Sequence, residues 1–179
     1  MNRIFGLPAH PLLVHVPVIL IPLLGILALL FVVRPAWRQT LAVPTAALAV
    51  ITLVGTLLAA NSGESLRDQV NRNALVHAHA EMGDQLKIIG VLFCLAVLGT
   101  VVLEHIERRG WKGPRLPAQR QLLTLAFAAT ILMAGFATVW DVRTGHSGAQ
   151  AVWSSSTNPV MIASGQVPET PTSTPASAP

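Results

Sequence analysis

The residues of this 179-residue chain best suited to chemistry are its six histidines, because imidazole titrates near neutral pH and ligates metals. Five of them flank long apolar runs. His10 and His15 open the first, His77 and His79 precede the third, and His146 follows the fourth. If those runs are helices threaded through a bilayer, all five emerge on one face. His105 leaves the third run at its other end beside Glu104 and Glu107, and a favourable place at a helix C-terminus accounts for it. The sequence therefore points to a site on a single membrane face.

The threading follows from composition. The chain is 52% hydrophobic and 11% charged, with a mean hydropathy of +0.58, which leaves too few polar residues to cover a soluble domain of this size. Four runs can cross about 30 Å of hydrocarbon at about 1.5 Å per residue: 12–33, 41–60, 86–103 and 122–140. Their only internal charge is Lys87, one residue inside the third, from where it can snorkel to the interface. The alternation of barrel strands is absent, so the expected fold is all-α, a four-helix transmembrane bundle. Arg34, Arg38, Arg108, Arg109, Lys112, Arg115 and Arg120 lie in the two short connections, which the positive-inside rule makes cytoplasmic. Both termini and the longer connection 61–85 are then outside. Topology and lipid headgroups also explain the pI of about 10.6 without a nucleic-acid partner. One domain is expected over 1–153, with no repeat of fixed period, followed by a disordered Ser/Thr/Pro-rich tail at 154–179. The first run is too long for a signal h-region and reads as a retained helix. Cys94, alone and mid-span, reads as a small packing residue.

Local spacing refines the site. In the segment from Leu7 to Pro17, Pro11 suits a first helical turn, while Pro17 frees the Leu13 carbonyl and should kink the helix around His15. His79, Gly83, Leu86 and Gly90 share one helical face, so two glycines make a groove below a histidine. His77, Glu81 and Asp84 fall on a separate polar face. The second helix is expected to stop at Asn61-Ser62-Gly63-Glu64, with Gly63 as its left-handed cap. The fourth is expected to stop at Trp140-Asp141, with Gly145 and Gly148 turning His146 back over His10 and His15.

The paired His10-Pro11 opening, four spans, a histidine before the third span, and Gly145-His146-Ser147-Gly148 followed by Ala151-Val152-Trp153 resemble a bacterial membrane family catalogued as domain of unknown function 2231. The resemblance covers most of residues 6–153, and it departs from the family pattern at Trp153, where a Tyr is usual. It implies a four-helix inner-membrane protein associated with redox partners such as Rieske or c-type cytochrome domains, and it implies haem binding. His10, His15, His79 and His146 are the matching positions.

Three function classes are compatible with these residues. In the first, facing helices supply two axial imidazoles to a b-type haem for electron transfer, with His15 and His79 as the ligands and His10 and His146 as their supporting shell. The second is a copper or zinc site using the same imidazoles with Glu81 or Asp141. The third is a non-catalytic membrane subunit whose histidines pin loops or respond to outside pH near about 6.5; a homo-oligomer is compatible with any of the three. No nucleophile elbow, phosphate loop or zincin string marks an enzyme, so an accessory or electron-transfer role is expected over turnover.

Overall fold

The computed structural model describes residues 3–4, 7–67, 74–109 and 117–156. After a two-residue antiparallel pairing of Arg3–Ile4 with Leu7–Pro8, the chain is helical: α1 (Ala9–Leu13), α2 (His15–Val33), a 3-10 turn (Pro35–Trp37), α3 (Arg38–Arg67), α4 (Ala74–Arg108) and α5 (Pro117–Ser156). α1 and α2 part at Val14, as expected of Pro17, which cannot donate to the Leu13 carbonyl. Four of these segments are long and apolar enough to cross a membrane. The fold is thus the expected all-α membrane bundle.

Two helices run further than their sequence suggested. α3 does not stop at Gly63 but continues to Arg67, and α5 passes Trp140 and both glycines to reach Ser156. Gly63 and Gly148 sit inside continuous helix, each with a histidine ring against its bare face. α4 matches the expectation that the third helix begins well before the bilayer. At about 1.5 Å per residue its 35 residues reach about 52 Å, so the helix projects from the hydrocarbon and carries His77 and His79 on that projection. The expected tail beyond Ser156 lies outside the described residues.

Each helix packs against its sequence neighbours, and α5 closes the ring on α2. The outer surface carries large side chains such as Ile19, Ile26, Val43, Leu125 and Leu132, all exposed as lipid-facing groups should be. The interior is lined largely by small ones, which let backbones approach where lipid supplies no hydrophobic drive for association. Two buried threonines of α3 satisfy their hydroxyls on the preceding turn: Thr52 donates to Leu48 O and Thr56 to Thr52 O, both at 2.8 Å.

The burial pattern contains a repeat. The buried residues of α2 are Pro17, Ile21, Leu24, Gly25, Ala28, Phe31 and Val32; those of α4 include Leu86, Gly90, Phe93, Cys94, Val97, Thr100 and Val101. Taken in order, every pair is separated by the same 69 positions. Likewise Thr45, Ala49, Thr52, Thr56 and Ala59 of α3 each lie 85 positions before a buried residue of α5, namely Thr130, Ala134, Ala137, Asp141 and Thr144. The chain is therefore two equivalent helical hairpins, α2–α3 and α4–α5, around an approximate two-fold axis along the bundle. No single period runs through the chain, as the sequence suggested: the two hairpins have connections of unequal length, which splits the spacing into 69 and 85, and the equivalence lies mostly in burial and only at a few positions in residue identity. One mismatch explains an orphan. Thr100 and Thr130 hydrogen bond across the second hairpin at 2.7 Å, but the first hairpin has Phe31 and Thr45 there, and Thr45 Oγ1 is buried without a partner among the described residues.

Candidate functional site

His10 and His79 occupy equivalent places in the two hairpins, and their surroundings repeat atom for atom. His10 Nδ1 lies 3.0 Å from Ser62 Oγ and 3.2 Å from Ala59 O. His79 Nδ1 lies 3.0 Å from Ser147 Oγ, and the ring also meets the Thr144 backbone. Ser62 stands 85 positions before Ser147, as Ala59 does before Thr144 and Gly63 before Gly148.

These bonds favour one tautomer. Ser62 Oγ donates its proton to Ala59 O at 2.7 Å, and Ser147 Oγ donates to Thr144 O at 2.8 Å. With its proton so engaged each hydroxyl accepts from the ring, and a carbonyl only accepts, which favours the hydrogen on Nδ1 in both histidines. Nε2 of each neutral ring keeps its lone pair and is the nitrogen free to bind a metal, the arrangement found where a second partner orients a ligating imidazole.

The glycines are seats for the rings. A Cβ on Gly63 would come within 2.9 Å of His10 Cε1, and one on Gly148 within 2.9 Å of His79 Cε1. Both imidazoles are half-buried. Deeper on the α5 stripe, one turn below Thr144, Asp141 is 1% exposed and both of its carboxyl oxygens lack a partner among the described residues. The indole nitrogen of Trp140 is likewise buried and unpartnered. Two orphaned polar side chains thus adjoin the histidine end.

The other expected site residues are placed differently. His15 is exposed, with Nδ1 turned to Pro11 O at 2.6 Å, and His146 is exposed on α5. His77 pairs with Glu81 at 3.5 Å on an exposed face, as its spacing suggested. Gly90 of the expected groove packs against Thr56 of α3, whereas Gly83 touches nothing within 4 Å. Among the described residues no three His, Cys, Asp or Glu side chains are grouped to hold a metal ion. Sequence reasoning missed Ser62 and Ser147. Their signal was the Ser-Gly pair recurring at 62–63 and 147–148, which reads as a helix stop when each copy is considered alone.

At the opposite end Glu104, 6% exposed, joins two guanidinium groups: Arg108 Nε at 2.7 Å and Arg38 Nη1 at 3.5 Å. Arg38 also donates to Phe31 O and Val32 O, which satisfies carbonyls left open at the end of α2. Arg108 donates to Pro35 O at 3.1 Å. This cluster ties both hairpins together away from the histidines.

Fold and site together define a four-span membrane bundle of two equivalent hairpins, with a pair of anchored imidazoles at one end. The chain belongs to the family described as "Predicted membrane protein (DUF2231)", whose model matches residues 6–158. No curated protein and no solved structure matches it.

Proposed function

We propose that this membrane protein binds a b-type haem at the His10–His79 end and passes electrons there. The observation that carries the reading is the repeated anchoring of Nδ1, which leaves two Nε2 lone pairs, one from each hairpin, at the same end of the bundle. Two imidazoles are the donor set of a bis-histidine haem, whereas a tetrahedral zinc site takes three or four protein ligands. The seats on Gly63 and Gly148 hold the rings against helix backbone, and the Ser62 and Ser147 bonds favour the proton on Nδ1. His10 and His79 are therefore the residues that would hold the haem. His15 and His146 stand outside this pair at the exposed rim, where a redox protein such as a c-type cytochrome or Rieske domain can dock.

Haem held in this way exchanges one electron at a time. What the chain supplies is orientation of two rings, above a buried interior that holds Asp141 as its nearest acid. The charge distribution favours a bacterial inner membrane with the histidine end outside.

The test is a reduced-minus-oxidised visible spectrum of detergent-purified protein from haem-supplemented cells. We expect split alpha and beta bands that vanish in both His10→Ala and His79→Ala and persist in His15→Ala. A featureless wild-type spectrum would reject haem.

A further inference from the structure

The end of the bundle remote from the histidines contains a cavity of about 530 Å³ between the start of α3 and the end of α4. Its lining is graded along the bundle axis. Ala42, Val43 and Val101 lie within the apolar spans, while Gln39, Arg108 and Arg109 lie just beyond them. We propose that this cavity binds the headgroup of an anionic phospholipid, with the phosphate among the guanidinium groups and an acyl chain running over Val43.

Three observations carry the proposal. First, the charge is unbalanced: Arg38, Arg108 and Arg109 face the cavity with Glu104 as the one carboxylate. Glu104 is already engaged by Arg38 and Arg108, so Arg109 has no acidic partner among the described residues. Guanidinium binds phosphate oxygens with two parallel hydrogen bonds, and a basic recess between membrane helices is where lipid phosphates are held. Second, the gradient matches a lipid and not a free anion. Val43 is 76% exposed at the lipid-facing mouth, so a ligand with a hydrocarbon chain gains burial that inorganic phosphate does not. Third, the recess is built on a fixed frame, since Arg38 is pinned by Phe31 O and Val32 O and lies 4.4 Å over the Phe127 ring.

The experiment uses the full chain, purified and delipidated in a neutral detergent, with its melting temperature followed as lipid is added. Phosphatidylglycerol should raise the melting temperature in a saturable way, and phosphatidylcholine with the same chains should not. Arg109→Gln removes one charge-assisted contact from an exposed position and should weaken the apparent affinity for phosphatidylglycerol about tenfold. Gln39→Glu, also exposed, should weaken it comparably by repelling the phosphate. Equal stabilisation by phosphatidylcholine, or unchanged phosphatidylglycerol affinity in both variants, overturns the proposal. So does stabilisation by millimolar inorganic phosphate equal to that by the lipid, which would make the recess a free-anion site.

Discussion

His10 and His79 are each supported on three sides: a hydroxyl, a main-chain carbonyl and the bare face of a glycine. The glycine is the least replaceable of these. In Gly148→Ala the added methyl sits 2.9 Å from Cε1, and because the ring is the free end of a side chain, the ring moves and not the helix. Alanine in a helix interior is favoured over glycine by about 1 kcal/mol, so the variant should melt no lower than wild type. On the proposed haem reading it should nonetheless lose most of the haem absorbance, and Gly63→Ala should do the same. Visible spectra recorded beside thermal melts followed by circular dichroism separate the two effects. Ser147→Ala tests the tautomer: the ring keeps its carbonyl partner, so a several-fold weaker haem affinity is expected, not loss, read by haem titration. At this scale the sequence was only partly legible. His79 and His10 stood out by residue type and position, but their ranking against His15 depended on ring direction. That direction is set by serines 52 and 68 positions away in the chain.

Among the elements, α4 was the most legible, because its proline-free stretch has no interruption to misread. α3 and α5 were read short, since a glycine near the end of an apolar run is ambiguous until its neighbour across the interface is known. The Glu104 cluster belongs to this scale, as it binds the end of α4 to the start of α3 and, through Arg38, to the end of α2. Glu104→Ala would leave two guanidinium groups without their carboxylate. Removing one partner of a buried ion pair costs about 3–5 kcal/mol, and the lower end applies here because the Arg108 side chain is 40% exposed and partly screened by water. A drop in melting temperature with haem absorbance retained is the expected result, because the cluster and the histidines are at opposite ends. Loss of both together would show that the two ends are coupled.

For the molecule as a whole, composition alone was enough to establish a membrane bundle, since no soluble surface can be made from so few polar residues. The repeat was not legible, because most of it lies in burial and the few repeated identities, such as His10 with His79 and Ser62-Gly63 with Ser147-Gly148, fall at two different spacings. Orientation can be tested with the lone thiol. Cys94 is buried in the bundle and should stay silent to an impermeant maleimide, so single cysteines can report on each end. In intact cells Ala78→Cys should label and Gln39→Cys should not until the membrane is permeabilised. The reverse pattern would put the paired histidines on the cytoplasmic side.

Asp141 illustrates what joining two hairpins in one polypeptide makes possible. A homodimer of a single hairpin would offer the same two imidazoles, but any residue introduced beside them would be present twice. At the depth of Asp141 such a dimer would bring two carboxyl groups into one apolar interior. In the single chain the equivalent place is held by Thr56, whose hydroxyl is satisfied within its own helix. Two hairpins in one chain thus allow a solitary acid near a symmetric pair, an asymmetry that no self-associating half could build.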